Sequence, residues 1–146
     1  MNLYILRGVS GSGKSTFSKR IKNATIHSTD YYFYKNGIYI FNKKKLRDFH
    51  QKNFEEFKNS IKRKKRNIII DNTNLVYEFV KPYIKEAKKN NYRVILVDFI
   101  PKGRELHYEK NIHKVAKRVI KNQLRQYYKD RTKFIINVDR IIRIIR

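Results

Sequence analysis

The sequence predicts an α/β fold: a mainly parallel sheet of about five strands, sandwiched by helices, with a small helical lid. Three observations predict it. Two short apolar runs, "NIIID" at 67–71 and "RVILVDFI" at 93–100, read as strands buried on both faces, as those of a parallel sheet are. Longer stretches with apolar residues at helical spacing alternate with such runs. Three of the 5 glycines, Gly8, Gly11 and Gly13, crowd into one loop between the first strand and the first helix.

The elements follow in order. Residues 3–6 form the first strand, and a helical pattern runs from about 14 to 22 after the glycine loop. "ATIHS" (24–28) is a short second strand ending at Thr29 and Asp30. Residues 31–41, "YYFYKNGIYIF", are aromatic and irregular, with a turn expected at Asn36-Gly37 between two short extended pieces. Asn42 stands where it would cap a long helix, just after the apolar Phe41. Leu46, Phe49, Phe57 and Ile61 supply that helix's buried face, and "KRKKR" (62–66) sets cations at its negative end. After the strand at 67–71 comes a helix over 78–91, with Pro82 near its first turn. After the strand at 93–100, a helical pattern extends from 104 to about 129, interrupted around 110–114. Val115, Val119, Ile120 and Leu124 mark the apolar side of its second half, and about 103–128 forms the lid. A strand is expected at 134–138, whereas "RIIRIIR" fits strand or helix. No repeat and no Pro- or Gly-rich linker divides the chain, so 1–146 reads as one domain.

The chain is strongly basic: 36 Lys and Arg face 12 Asp and Glu, a formal +24 with a pI near 10.3. Such a surface attracts polyanions, although compositional drift toward Lys, Asn and Ile would raise the charge with no partner in view. With no cysteine there is no disulfide framework, thiolate metal site or cysteine nucleophile. No apolar run approaches the ~18 residues of a membrane span. The early first strand leaves no room for a signal peptide, so a soluble, cytoplasmic protein is expected.

"GVSGSGKS" (8–15) satisfies G-x-x-x-x-G-K-[ST], the Walker A or P-loop pattern, in its proper strand–loop–helix setting. The glycines let backbone N–H groups turn inward around phosphate, and the helix start adds its positive dipole end. Gly8, Ser10, Gly11, Ser12, Gly13, Lys14, Ser15 and Thr16 make the candidate nucleotide-binding set. Lys14 would reach the β- and γ-phosphates of ATP, and Ser15 would offer its hydroxyl to Mg²⁺. Asp30 ends the second strand, where an acceptor hydroxyl would approach. It reads either as a general base or as an aspartate opening a turn. Asp71 closes the third strand, a Walker B type of position that supports Mg²⁺, with Asn72, Thr73 and Asn74 at the same sheet edge. A tight polar turn is the other reading of that segment. Lys110, Lys114, Lys117 and Arg118 place cations near the helix break, as transition-state ligands of a lid or as a solvated basic face.

With "HSTDYYF", "NIIIDNTNL" and "EKNIHK" following the P-loop in that order, the chain resembles the polynucleotide-kinase-like P-loop kinases from Leu6 to about Tyr128. His50 and "KPY" (81–83) also look like positions in these kinases. The resemblance implies a phosphotransferase using ATP and Mg²⁺, with Lys14 and Ser15 as the phosphate and metal pair and Asp30 activating a 5′-hydroxyl. It implies that Asp71, Asn72 and Asn74 belong to the D-x-T-N segment that shapes the active site. Lys110 and Asn111 stand where these kinases carry Arg-Asn, and Lys114 at the next basic lid position; Arg118 joins the nucleotide contacts. The phage-type run Asp-Tyr-Arg is here Asp30-Tyr31-Tyr32-Phe33, so Tyr32 or Phe33 would stack on a base in place of the arginine. No D-x-D-x-T phosphatase motif is present. The expected function is transfer of the γ-phosphate to the 5′-OH end of RNA or DNA. Two other readings stand beside it: a kinase of a small hydroxyl compound such as a nucleoside or sugar derivative, and a nucleic-acid-binding protein that binds ATP without transfer.

Overall fold

Strands that are apolar on both faces need helices above and below them, and this chain supplies them in alternation. The computed structural model describes residues 1–101 and 116–145. Strand β1 (Asn2–Arg7) leads through the glycine loop to α1 (Lys14–Ser18) and β2 (Ala24–His27). A 3₁₀ turn (Thr29–Phe33) opens a small hairpin of β3 (Tyr34–Lys35) and β4 (Ile38–Tyr39). A second 3₁₀ turn (Lys43–Lys45) precedes α2 (Leu46–Lys62), then β5 (Asn67–Ile70), α3 (Tyr77–Lys89) and β6 (Arg93–Phe99). Helices α4 (Lys117–Lys129) and α5 (Arg131–Asn137) bring the chain to β7 (Arg140–Ile144).

Five strands form one parallel sheet in the order β2-β5-β1-β6-β7. One face carries Leu3, Ile5, Ile68, Ile70 and Leu96 against Phe57, Val80, Ile84 and Phe134 of the helices. The other carries Leu6, Ile69, Ile95, Val97 and Phe99, with Phe17 of α1 packed against them. β1 lies at the centre, so the loop that follows it opens at the middle of the sheet's carboxyl edge, where ligands of such sheets bind. No described helix is long and apolar enough to cross a membrane.

Several elements differ from the sequence expectation for identifiable reasons. α1 stops at Ser18 rather than continuing to 22. The next amides turn back tightly, Arg20 N–H to Phe17 O at 3.0 Å and Ile21 N–H to Ser18 O at 3.3 Å, and Asn23 (φ 55°) reverses the chain into the edge strand β2. Asn42 caps the 3₁₀ lead-in to α2, accepting from Lys44 N–H at 3.0 Å. Within α2, Phe57 and Ile61 are buried as expected, but Leu46 and Phe49 sit only half-buried where the helix overhangs the sheet. Pro82 falls at the sixth residue of α3, past the first turn; it and Glu78, whose carbonyl loses its helical donor, are exposed to water. On α4, Ile120 and Tyr127 are buried while Val119 faces out. The expected strand at 134–138 is helix α5, because Phe134 turns inward to pack under Arg7. The strand forms later, where Asp139 clamps β6: its carboxylate accepts Val94 N–H at 2.7 Å and its N–H donates to Val94 O at 2.9 Å. The hairpin turn at Asn36-Gly37 forms as expected, both residues at positive φ (52° and 79°) as a type I′ turn requires.

Candidate active site at the carboxyl edge of the sheet

The loop after β1 is built by its glycines. A Cβ at Gly8 would lie 2.7 Å from Ser12 Oγ and 2.8 Å from Phe99 Cβ, so no side chain passes there. Gly11 (φ 80°) and Gly13 (φ 94°) take left-handed backbone, which curls the loop and starts α1 at its mouth. Lys14 folds over this loop, its Nζ donating to Gly8 O at 2.9 Å, Val9 O at 2.8 Å and Ser12 Oγ at 3.3 Å. Burial pushes the ammonium down to about 8, against the pull of Asp71 and Asp30, which favour its charge.

Asp71 stands across from Lys14, just past β5. Burial raises its carboxyl, and Lys14, Ser15 and Ser18 act in the opposite direction. The Ser18 hydroxyl lies 2.9 Å from Ser15 O and 3.4 Å from Asp71 Oδ2. The Ser15 hydroxyl and Asp71 carboxylate are hard oxygen donors of the kind Mg²⁺ takes. Among the described residues no group of three His, Cys, Asp or Glu side chains could hold a metal. A metal here would therefore lean on substrate phosphates as well, as Mg²⁺ commonly does.

Asp30 is held by its neighbours. The Thr29 N–H donates to Asn72 Oδ1 at 2.9 Å, and the Thr29 hydroxyl lies 3.1 Å from His50 Nδ1. Tyr39, returned by the hairpin, donates its hydroxyl to Asp30 Oδ1 at 3.4 Å, and burial together with Asp30 pushes the Tyr39 phenol up to about 12. The Asp30 charge reaches Lys14, Asp71 and His50. Asp30, Lys14, Asp71 and Ser15 thus form one electrostatic cluster. A cleft of about 430 Å³ opens beside it, its lining including His50, Asn72, Thr73, Gln123 and Gln126.

One sequence expectation does not survive this geometry, and another residue gains a structural part. Phe33 is 3 % exposed and closed in by the rings of Tyr39, Phe41 and Phe49, so it cannot stack on a base. Asn74 is buried, and its Nδ2 donates to the carbonyls of Leu6, Ile70 and Asn72 at 2.6, 3.1 and 3.2 Å, so it braces the strand ends as well as lining the cleft. Tyr32 is half-buried against Phe49, with Lys52 Nζ 4.8 Å above its ring. Lys110, Asn111 and Lys114 lie outside the described residues. Arg118 is exposed on the first turn of α4, and Thr16 on α1 is exposed too. Ser10 is gripped from α4: its N–H donates to Gln123 Oε1 at 2.9 Å, and Gln123 Nε2 donates to its hydroxyl at 3.1 Å.

Ser18, Tyr39 and Gln123 were not singled out by sequence reasoning. Ser18 lies one helical turn from Ser15, and a two-residue hairpin at Asn36-Gly37 brings Tyr39 back opposite Tyr34. Nothing in the sequence marks Gln123. Beneath the loop, the fully buried Arg7 lies between the rings of Tyr127 (4.5 Å) and Phe134 (4.3 Å). Its Nη2 donates to Tyr127 O at 2.7 Å and Leu75 O at 3.2 Å, tying the P-loop strand to α4 and α5.

The AAA domain family matches residues 3–133. The chain belongs to that family. Human NEDD4-binding protein 2 is 39% identical over 135 residues, which are 86% of this chain and 8% of that protein. Among solved structures, a chain from the Pnkp1/Rnl/Hen1 RNA repair complex superposes with a TM-score of 0.71 at 22% identity, covering 91% of this chain and 46% of that one. A gluconokinase from Sinorhizobium meliloti 1021 superposes with a TM-score of 0.63 at 13% identity, over 98% of this chain and 81% of its own. This AAA domain chain therefore spans a small part of its human relative and about half of the repair-complex chain. At these identities the two structures establish the fold alone: a P-loop kinase-like domain with a parallel sheet between helices.

Proposed function

We propose that this domain is an ATP-dependent kinase that phosphorylates the 5′-hydroxyl end of RNA or DNA. The observation that carries the reading is Asp30, a braced carboxylate whose charge acts on the phosphate-binding Lys14 across the mouth of the P-loop. Lys14 and the loop amides bind the phosphates of ATP. Ser15, backed by Asp71, would hold Mg²⁺, which would offset the negative charge of the phosphates. Asp30 accepts the proton of the acceptor hydroxyl as its oxygen bonds to the γ-phosphorus. The bond from that phosphorus to the β,γ-bridging oxygen breaks, and ADP leaves. Little covalent work falls to the protein, so position and electrostatics carry the rate.

The polynucleotide acceptor draws support from the +24 charge, from the relative solved in an RNA repair complex and from the 5′-kinase-like order of motifs. The test is transfer of labelled γ-phosphate from ATP to 5′-hydroxyl RNA, 5′-hydroxyl DNA, a free nucleoside and gluconate. Label on the polymers supports the reading. Label confined to the nucleoside or gluconate would make the domain a small-molecule kinase, and ATP binding with no labelled product would make it a binding protein.

A further inference from the structure

The hairpin that delivers Tyr39 to Asp30 presents a second surface that the transfer chemistry does not use. Tyr34 (47 % exposed), Ile38 (64 %), Ile40 (54 %) and Phe41 (56 %) line it, and Tyr31 (53 %) continues it to the residue beside Asp30. So much apolar and aromatic surface around a two-residue turn is unusual unless something covers it. The residues are not loosely hung. Tyr34 packs against Tyr39 at 5.3 Å, Phe41 against the buried Phe33 at 5.1 Å, and the Ile40 N–H donates to Phe33 O at 2.9 Å. Rings held this way lose little freedom when a flat partner lies on them.

Charge identifies the partner. From Tyr31 to Arg47 the chain contains Lys35, Lys43, Lys44, Lys45 and Arg47 and not one Asp or Glu, and all five cations are exposed. Exposed rings interleaved with a run of exposed cations match a single-stranded polynucleotide, whose bases stack on aromatic faces while its phosphates meet the cations. An acidic protein would satisfy the cations, but it has no need of stacking rings that lead to a general base. We propose that the β3–β4 hairpin is a stacking platform for the nucleotides that follow the 5′-terminal one. The acceptor would then be a single strand of several nucleotides, delivered end-first to Asp30. This inference rests on the polynucleotide reading of the site.

The test separates the two claims. The full chain binds a fluorescein-labelled 5′-hydroxyl oligonucleotide of about ten nucleotides, followed by anisotropy without ATP. The triple variant Tyr34→Ser/Lys35→Ser/Ile38→Ser is measured alongside, with circular dichroism melting as the check that it folds. Loss of one stacked base and one phosphate contact predicts affinity weaker by about tenfold or more. It also predicts a salt slope shallower by roughly 0.7, the single-strand value for one contact. In transfer assays, the wild-type preference for the ten-mer over a dinucleotide shrinks in the variant. Unchanged affinity and unchanged length preference in a folded variant overturn the platform even if the protein is a polynucleotide kinase. Affinity lost in the variant, with no transfer to any acceptor by the wild type, keeps the platform and refutes the kinase. If the triple variant melts early, Lys35→Glu alone, at an exposed strand position, gives the same comparison.

Discussion

Replacing Asn74 by Ala discriminates a brace from a substrate contact, and its cost follows from the sheet. β5 ends its pairing with β1 at Ile70, opposite Ile5, while β1 runs on to Arg7. The Leu6 carbonyl on the β5 side therefore has no strand donor, and the Asn74 amide supplies one at 2.6 Å while also reaching Ile70 O at 3.1 Å. Leu6 and Ile70 are fully buried, so water does not replace the lost donor. Each buried carbonyl left unsatisfied costs about 1–3 kcal/mol. Asn74 also sits at φ 51°, a left-handed backbone that costs alanine roughly 1–2 kcal/mol. Together these give a loss of about 3–8 kcal/mol, and for a chain of this size a fall in Tm on the order of 10–30 °C. Thermal unfolding by circular dichroism reads this directly. Asn74→Gly, which adopts positive φ freely, recovers about 1 kcal/mol of the loss and isolates the hydrogen-bond part. A Tm within about 3 °C of wild type, with a raised acceptor KM, would refute the brace and return Asn74 to the acceptor site.

Other consequences concern neighbouring groups. Under the proposed function Lys14 holds phosphate as a cation, and burial brings it down to about 8. Below that value the free protein carries the cation, and above it ATP affinity falls by up to about tenfold per pH unit, because binding must take up a proton. Calorimetric titration across pH 7–9.5 checks this, and Lys14→Met removes the slope along with most of the binding. For stability the sign is opposite. The folded state holds fewer protons than the unfolded chain between about 8 and the ordinary lysine value, so the Lys14 contribution to stability improves as pH rises through that window and is absent below it. His50 Nδ1 lies 3.1 Å from the hydroxyl of Thr29, the residue before Asp30; under the proposed function His50→Ala therefore lowers kcat by about tenfold with little change in the KM for ATP, and His50→Asn restores part of it. Tyr127→Phe strips the buried Asp98 of a 2.7 Å hydrogen bond, leaving Arg131 at 4.0 Å, and costs about 1.5–3 kcal/mol in urea unfolding.

The parts legible in the sequence are those with a local signature. Strands β5 and β6 announce themselves by unbroken apolar runs. The P-loop announces itself by glycines that hold left-handed backbone at Gly11 and Gly13, and the hairpin turn by Asn36-Gly37. The parts that misled depend on contacts between distant segments. "FIIN" satisfies helix and strand equally, and only the docking of Phe134 under Arg7 decides for helix. Phe33 and Tyr31 flank Tyr32 in one aromatic run, yet one faces the core and the other water, because the 3₁₀ turn rotates them to different sides. Asn74 looks like a ligand because it follows a strand-end Asp in a polar run, and its use as a donor appears only once β5 is seen to stop short of β1. Gln123 reaches Ser10 across 113 residues, with no pattern to reveal it.

The most direct test of the central claim is single-turnover transfer of labelled γ-phosphate to a 5′-hydroxyl oligonucleotide by wild type and Asp30→Asn. ATP affinity is measured on both proteins. Labelled 5′ ends are expected with the wild type, and with Asp30→Asn a rate lower by about 10²–10⁴-fold at similar ATP affinity. Equal rates from the two proteins would contradict it, as would failure of the wild type to label any 5′-hydroxyl end while still binding ATP.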